Sequence, residues 1–227
     1  MINMLERKKR YLQIALNGSL HECYSILRQL PPSDRIIIEA GTPLIKEQGM
    51  RAISALRDWW AMVTAGTGII PYIAADMKTM DRGATEVMLS ARAGASAVVA
   101  LGIAPVETLN VFIERCRSEK LDSMVDMMNV DAPVKVLRRL KKLPDVVILH
   151  RGVDEETFNR DKPIPYLQIN KIRSTYDVRI SVAGGDTIRE VQRAIFNDAD
   201  IVVVWKEFFA PTTSTGKLAG EFLRVIK

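Results

Sequence analysis

At 227 residues, with 48% hydrophobic side chains, the chain is long enough for one large or two small domains and apolar enough for a sizeable core. Its net charge of +5 and isoelectric point of about 9.2 suit anionic small molecules and fall short of what a nucleic-acid partner demands. No apolar stretch has the length of a membrane span or a signal peptide, and Cys23 and Cys116 stand apart without metal-ligand spacing, so free thiols in a reducing cytoplasm are expected.

The run Arg7-Lys8-Lys9-Arg10 reads as part of a basic extension over residues 1–10, solvated and frayed. Short apolar runs then recur at a fairly even interval and predict strands at Tyr11–Leu16, Arg35–Glu39, Ile70–Ala75, Ala97–Ala100, Ser123–Asp126, Val146–Leu149, Arg179–Val182 and Ile201–Val204. Helical period fills the gaps. Ala84, Val87, Met88 and Ala91 share one helix face, and Val134, Leu137, Arg138 and Lys141 give an apolar face with a basic back. His21 is expected at a solvent-facing helix start. Asn159–Pro165 reads as a longer loop stiffened by Pro163 and Pro165. Thr212–Lys217 looks superficially like a phosphate loop, but Pro211 and Leu218 stand where that motif needs Gly and Ser or Thr, which leaves a loop and a helix cap.

Strands that are apolar on both faces and alternate with helices imply a parallel sheet covered by helices. Eight such units in one chain of this length are the arithmetic of an α/β (β/α)₈ (TIM) barrel forming a single domain over residues 1–227. A doubly wound open sheet is the competitor, but no Gly-x-Gly-x-x-Gly follows the first strand.

A barrel carries its chemistry at the carboxyl ends of its strands. Strand one ends at Asn17, two at Glu39, three at Asp76 with Lys78, five at Asp126, six at His150 and seven at Gly184-Gly185. Asp76 and Lys78 are two apart and project side by side on a strand, with Asp81 close behind. Two acids and an ammonium suit a metal or a charged intermediate; a strand-end ion pair is the alternative. Glu39 caps an apolar strand and needs a partner: with Asp76 it offers two hard oxygen ligands to Mg²⁺, or else it pairs with Lys78. His150 titrates near neutrality and can shuttle a proton. The Gly184-Gly185 turn lets backbone amides approach an anion, and its position favours a phosphorylated substrate.

Taken together, Glu39-Ala40-Gly41-Thr42-Pro43-Leu44-Ile45-Lys46, Ala75-Asp76-Met77-Lys78-Thr79-Met80-Asp81, Val125-Asp126-Met127-Met128-Asn129-Val130, His150-Arg151-Gly152-Val153-Asp154 and Val182-Ala183-Gly184-Gly185 resemble the 3-hexulose-6-phosphate synthase branch of the orotidine 5'-phosphate decarboxylase superfamily. The resemblance implies an aldehyde-lyase that joins formaldehyde to ribulose 5-phosphate, or runs the reverse, through an enediolate. It implies Mg²⁺ on Glu39 and Asp76, with Lys78 and His150 managing charge and protons. It also implies a homodimer in which Asp81 reaches the partner's site. The chain departs from the family pattern at Asn17, where the family has Asp, and at Val204-Trp205-Lys206-Glu207, where a Gly-containing pair usually binds phosphate. Lys206 is expected to replace those amide contacts with charge, and Trp205 to crowd the cup.

Other readings remain. A 3-keto-L-gulonate-6-phosphate or orotidine-type decarboxylase would use related chemistry, although Val153 stands where the ketogulonate enzymes tend to carry a second Arg. A non-catalytic paralogue binding a metabolite or a protein gains if Asn17 and Trp205 both open onto the site. Flanking carboxylates should keep Lys78 protonated, which suits it to stabilise an enediolate and not to form a Schiff base, and Lys78→Ala should then abolish turnover with the fold intact.

Overall fold

Every second residue of a strand faces the same way, and in this chain the two faces find different partners. A computed structural model describes residues 5–159, 161–210 and 214–227. Its strands are β1 (Tyr11–Leu16), β2 (Ile36–Ala40), β3 (Ile73–Thr79), β4 (Ala97–Leu101), β5 (Asp122–Asp126), β6 (Val146–His150), β7 (Arg179–Ala183) and β8 (Ile201–Val204). Each pairs in parallel with the next and β8 returns to β1, so the sheet closes into a (β/α)₈ barrel. Ile37, Ala74, Val99, Met124, Ile148, Ala183 and Ile201 form an inner cluster. Their neighbours Ile38, Ala75, Val98, Val125, Val147, Val182 and Val202 join the larger cluster beneath the helices.

The helices are α1 (Leu20–Leu27), α2 (Thr42–Gln48), α3 (Arg51–Val63), α4 (Gly83–Arg92), α5 (Val106–Glu119), α6 (Pro133–Arg139), α7 (Val153–Phe158), α8 (Leu167–Arg173), α9 (Ile188–Phe196), α10 (Lys206–Phe209) and α11 (Thr215–Val225). Trp60 of α3, Phe112 of α5 and Phe222 of α11 are fully buried against the sheet. His21 is exposed, and both cysteines are buried free thiols.

Three expectations shift. The third strand begins at Ile73 and not Ile70, because Pro71 cannot donate to the ladder and Ile70 lies 81% exposed. Lys141 falls beyond the end of α6. The basic segment is not frayed where it is described: Leu5 is 2% exposed in the inner cluster, Lys9 pairs with Glu6 and Asp34 at 2.6 Å each, and Arg7 pairs with Asp177. Residues 1–4 lie outside the described residues, as do 211–213 of the predicted loop; Ser214 is the N-cap of α11.

Residues from the amino-terminal segment close the bottom of the barrel. Arg179 donates to the Leu5 carbonyl, and the Tyr72 hydroxyl donates to Asp122 Oδ2 at 2.7 Å. Burial pushes the Asp122 carboxyl up to about 6, against the pull of the Tyr72 hydrogen bond. A carboxyl raised in the folded state binds more protons there than in the unfolded chain. Stability therefore falls as pH rises from the ordinary value of 3.8 through about 6. Asp122→Asn keeps an acceptor for Tyr72 without the charge. It should stabilise the protein by about 1–2 kcal/mol above pH 7 and change little below pH 4, as read by thermal unfolding at the two pH values.

Candidate active site

The carboxyl end of β3 does not continue as a regular strand. Ala75 pairs with Val98 and Thr79 with Ala100, so four steps along β3 match two along β4, a bulge that leaves extra residues free to turn inward. Lys78 takes φ of +49°, a left-handed conformation that costs a side-chain-bearing residue about 1–2 kcal/mol. Asp76 and Lys78 meet as expected, but through this bulge and not through simple alternation. The Lys78 ammonium lies 2.9 Å from each Asp76 oxygen and 2.8 Å from Asp126 Oδ2.

Asp126, which the sequence placed at the end of strand five without giving it a role, joins this centre. It is fully buried at the end of β5, where Oδ2 accepts from Lys78 and from His150 Nδ1 at 2.7 Å, and Oδ1 accepts from the Met128 amide at 2.9 Å. Burial by itself would raise its carboxyl; the charges of His150 and Lys78 outweigh that and hold it well below the usual range. Burial likewise favours neutral Lys78 and His150, but Asp76 and Asp126 keep the ammonium charged, and Asp126 lifts the imidazole above its ordinary value. With Nδ1 committed to Asp126, Nε2 is the His150 atom left to exchange a proton across the cavity.

Glu39 sits on β2, the strand paired with β3, its carboxylate held by Gln13, a polar residue 1% exposed in the middle of β1. Its partner is thus Gln13, not Lys78. Burial first, and then the negative charge of Asp76, push the Glu39 carboxyl up to about 7. Two carboxylates that line one cavity from neighbouring strands and repel each other are a donor set that a hard cation suits. No group of three or more His, Cys, Asp or Glu side chains that could hold a metal ion occurs among the described residues. Thr42 steadies Asp76 by donating to its Oδ2 at 2.9 Å.

These groups border a cavity of about 390 Å³ that also reaches Asn17, Gly184, Arg151, Glu156 and Trp205. Asn17 and Trp205 therefore both open onto the site. Gly41 packs close beside Asn17: a Cβ there would lie 1.9 Å from Asn17 Oδ1 and would displace that side chain. Gly184 has φ of +99°, and a Cβ on it would meet the Arg151 carbonyl at 2.4 Å. Gly185 packs beneath Glu190 and Ile164 and does not line the cavity. Lys206 does not line it either: its ammonium is paired with Glu156 and lies 5.7 Å from the centre of the Trp205 ring. Asp81 is exposed and outside the cavity of its own chain.

A model of the orotidine 5'-phosphate decarboxylase / HUMPS family matches residues 10–204. The chain belongs to this family. Among curated relatives, a bifunctional enzyme Fae/Hps of Methanocella arvoryzae is 36% identical over 221 residues, covering 96% of this chain and 52% of that protein. Another, from Archaeoglobus fulgidus, is 40% identical over 200 residues, covering 86% and 47%. The chain thus spans about half the length of these relatives. The crystal structure of 3-hexulose-6-phosphate synthase from Salmonella typhimurium superimposes with a TM-score of 0.82 at 27% identity, covering 95% of this chain and 98% of that one.

The charge network sets two expectations for this family member. Asp126→Asn removes the carboxylate that lifts His150, so the His150 titration followed by NMR should move to lower pH. Lys78→Ala strands Asp126 and Asp76 without their ammonium. It should cost about 3 kcal/mol or more in denaturant unfolding, which revises the expectation that the fold would be unaffected.

Proposed function

We propose that the chain is a lyase of the 3-hexulose-6-phosphate synthase type, acting on formaldehyde and ribulose 5-phosphate. The observation that carries this reading is the buried network of Asp76, Lys78, Asp126 and His150 at one cavity mouth, with Glu39 on the neighbouring strand β2. Buried charges of this density are costly for stability alone, and the synthase-named relatives support the same chemistry.

In the forward direction neutral His150 takes a proton from C1 of the ketose through Nε2. The C–H electron pair becomes the enediolate double bond, and the carbonyl pair moves onto the C2 oxygen. Lys78, held charged, stabilises that oxyanion. The oxyanion pair then re-forms the C2 carbonyl as the double-bond pair joins C1 to the formaldehyde carbon, the formaldehyde carbonyl pair moves to its oxygen, and His150 returns the proton there to give the hexulose 6-phosphate. A Mg²⁺ ion on Glu39 and Asp76 would supply Lewis-acid stabilisation of the developing oxyanion.

The protein is read as a single barrel domain, cytoplasmic by its free thiols, and homodimeric. Asp81 stands on an exposed rim with Met80 and Ile103, which are 47% and 46% exposed at the ends of β3 and β4, a surface suited to a partner whose cavity Asp81 could enter. No helix among the described residues is long and apolar enough to cross a membrane.

The openings of Asn17 and Trp205 onto the cavity favour binding without turnover; the intact proton-transfer and oxyanion groups favour catalysis and outweigh them. Formaldehyde consumption with ribulose 5-phosphate and Mg²⁺ should be lost on chelation and in Glu39→Gln, and borohydride should trap no substrate on Lys78. Carbon dioxide release from a keto-acid sugar phosphate, without formaldehyde chemistry, would move the chain to the decarboxylases. Binding of the ketose without any turnover would make it a non-catalytic paralogue. Sedimentation at micromolar concentration should show a dimer, and a monomer alone would remove the shared-site reading.

A further inference from the structure

Gln13 is a polar side chain where the barrel interior is otherwise apolar. It lies in the middle of β1, in register with Ile37 of β2 and Val203 of β8, which both belong to the inner apolar cluster, and it is 1% exposed. An amide buried at such a position costs free energy unless both of its ends are hydrogen-bonded. Only one end is. Nε2 donates to Glu39 Oε2, while Oε1 is buried with no hydrogen-bond partner among the described residues. Turning the amide round would not relieve this, because its oxygen would then face a carboxylate oxygen.

The unused end is beside the chemistry, since Gln13 lines the same cavity as Glu39 and Asp76. Asp76 is held by both Thr42 and Lys78, whereas Gln13 is the only side chain among the described residues that donates to Glu39. With Oε2 engaged by the amide, Oε1 is the Glu39 oxygen left for a ligand. One hydrogen bond therefore sets which way this carboxylate turns. A hard cation such as Mg²⁺ keeps several waters when one or two carboxylates bind it, and those waters need acceptors. A cation on Glu39 and Asp76 brings such donors into the cavity that Gln13 lines with an unused acceptor.

We propose that Gln13 is a positioning residue for a divalent cation: its amide N–H fixes the orientation of the Glu39 carboxylate, and its Oε1 accepts from a water of the cation's hydration shell. The proposal rests on the cation site of the lyase reading and deepens it, by naming what prepares that site before substrate arrives. An apolar side chain of the same length would fill the layer between Ile37 and Val203 and do neither. Residues that hydrogen-bond a metal's carboxylate ligand contribute about ten- to a hundredfold to metal affinity.

The test uses the full chain as wild type, Gln13→Met, which keeps the length and removes the hydrogen bonds, and Gln13→Asn, which keeps the amide one methylene short. Mn²⁺ is titrated without substrate and free ion is counted by electron paramagnetic resonance; Mg²⁺ is read by its displacement of Mn²⁺. Thermal unfolding in chelator reports the metal-free fold. In Gln13→Met the Mn²⁺ dissociation constant should rise about ten- to a hundredfold, with Gln13→Asn between it and wild type. Turnover should need correspondingly more Mg²⁺ for its half-maximum, while kcat at saturating Mg²⁺ is kept. If Gln13→Met fails to fold, the weaker Mn²⁺ binding of Gln13→Asn carries the test. Lower thermal stability with unchanged Mn²⁺ affinity would make Gln13 a packing residue and overturn the proposal. Wild type that binds no Mn²⁺ yet turns over in chelator would overturn it too, and leave the lyase reading standing. Weaker Mn²⁺ binding in the variants with no turnover in any form would support the role of Gln13 and remove the lyase reading.

Discussion

The salt bridge of Lys78 with Asp76 and Asp126 is the constraint on which the rest of the site depends. Burying an ammonium requires nearby carboxylates, and two carboxylates require more positive charge than one ammonium supplies. His150 provides it through Asp126. With His150 protonated, two negative and two positive groups balance. Glu39 is then the odd acid, and burial together with Asp76 pushes it up to about 7. The β3 bulge and the left-handed backbone of Lys78 are local costs accepted because this network fixes the geometry around them.

Both ends of the barrel interior are polar, but they are built differently. At the amino-terminal end Tyr72 donates to Asp122 and Arg179 to the Leu5 carbonyl, away from the open cavity, and Leu5 is nearly inaccessible. At the carboxyl end the acids and bases border open space and retain an unshared face. A closed polar network contributes order, whereas an open one of similar composition can act on a ligand. The apolar layer of Val99, Ile148 and Ala183 lies along the inside wall between them.

The barrel was legible in the sequence because its strands are apolar on both faces and their spacing is regular, features set by local pattern. The residues at strand ends were legible too, since the architecture fixes which end of each strand carries chemistry. The β3 bulge was not, because an irregularity in register exists only relative to the neighbouring strand. Asp126 was visible as the polar end of Ser123-Met124-Val125, yet its weight comes from sharing one oxygen between Lys78 and His150, two partners distant in sequence. Gln13 could have been found as a polar residue inside an apolar strand. Leu5 was obscured by the charges that follow it: Lys9 and Arg7 read as solvated until their acidic partners are known.

Asn17 and Trp205 show how a chain can keep the reactive end of a site and alter the remote end. Remote contacts to a substrate can be used to hold the reacting atoms in place. In this barrel the reacting atoms would be gripped by groups on β2, β3, β5 and β6, while the altered residues sit after β1 and β8. The two sets share a cavity and no direct hydrogen bond is seen between them among the described residues; Arg151 and Glu156 lie at their border. A change after β1 and β8 can therefore reset which substrates are held without disturbing the charge balance around Lys78. That separation follows from the architecture: each strand brings one loop to a common mouth, so loops on opposite sides can diverge independently while the interior that supports them stays packed.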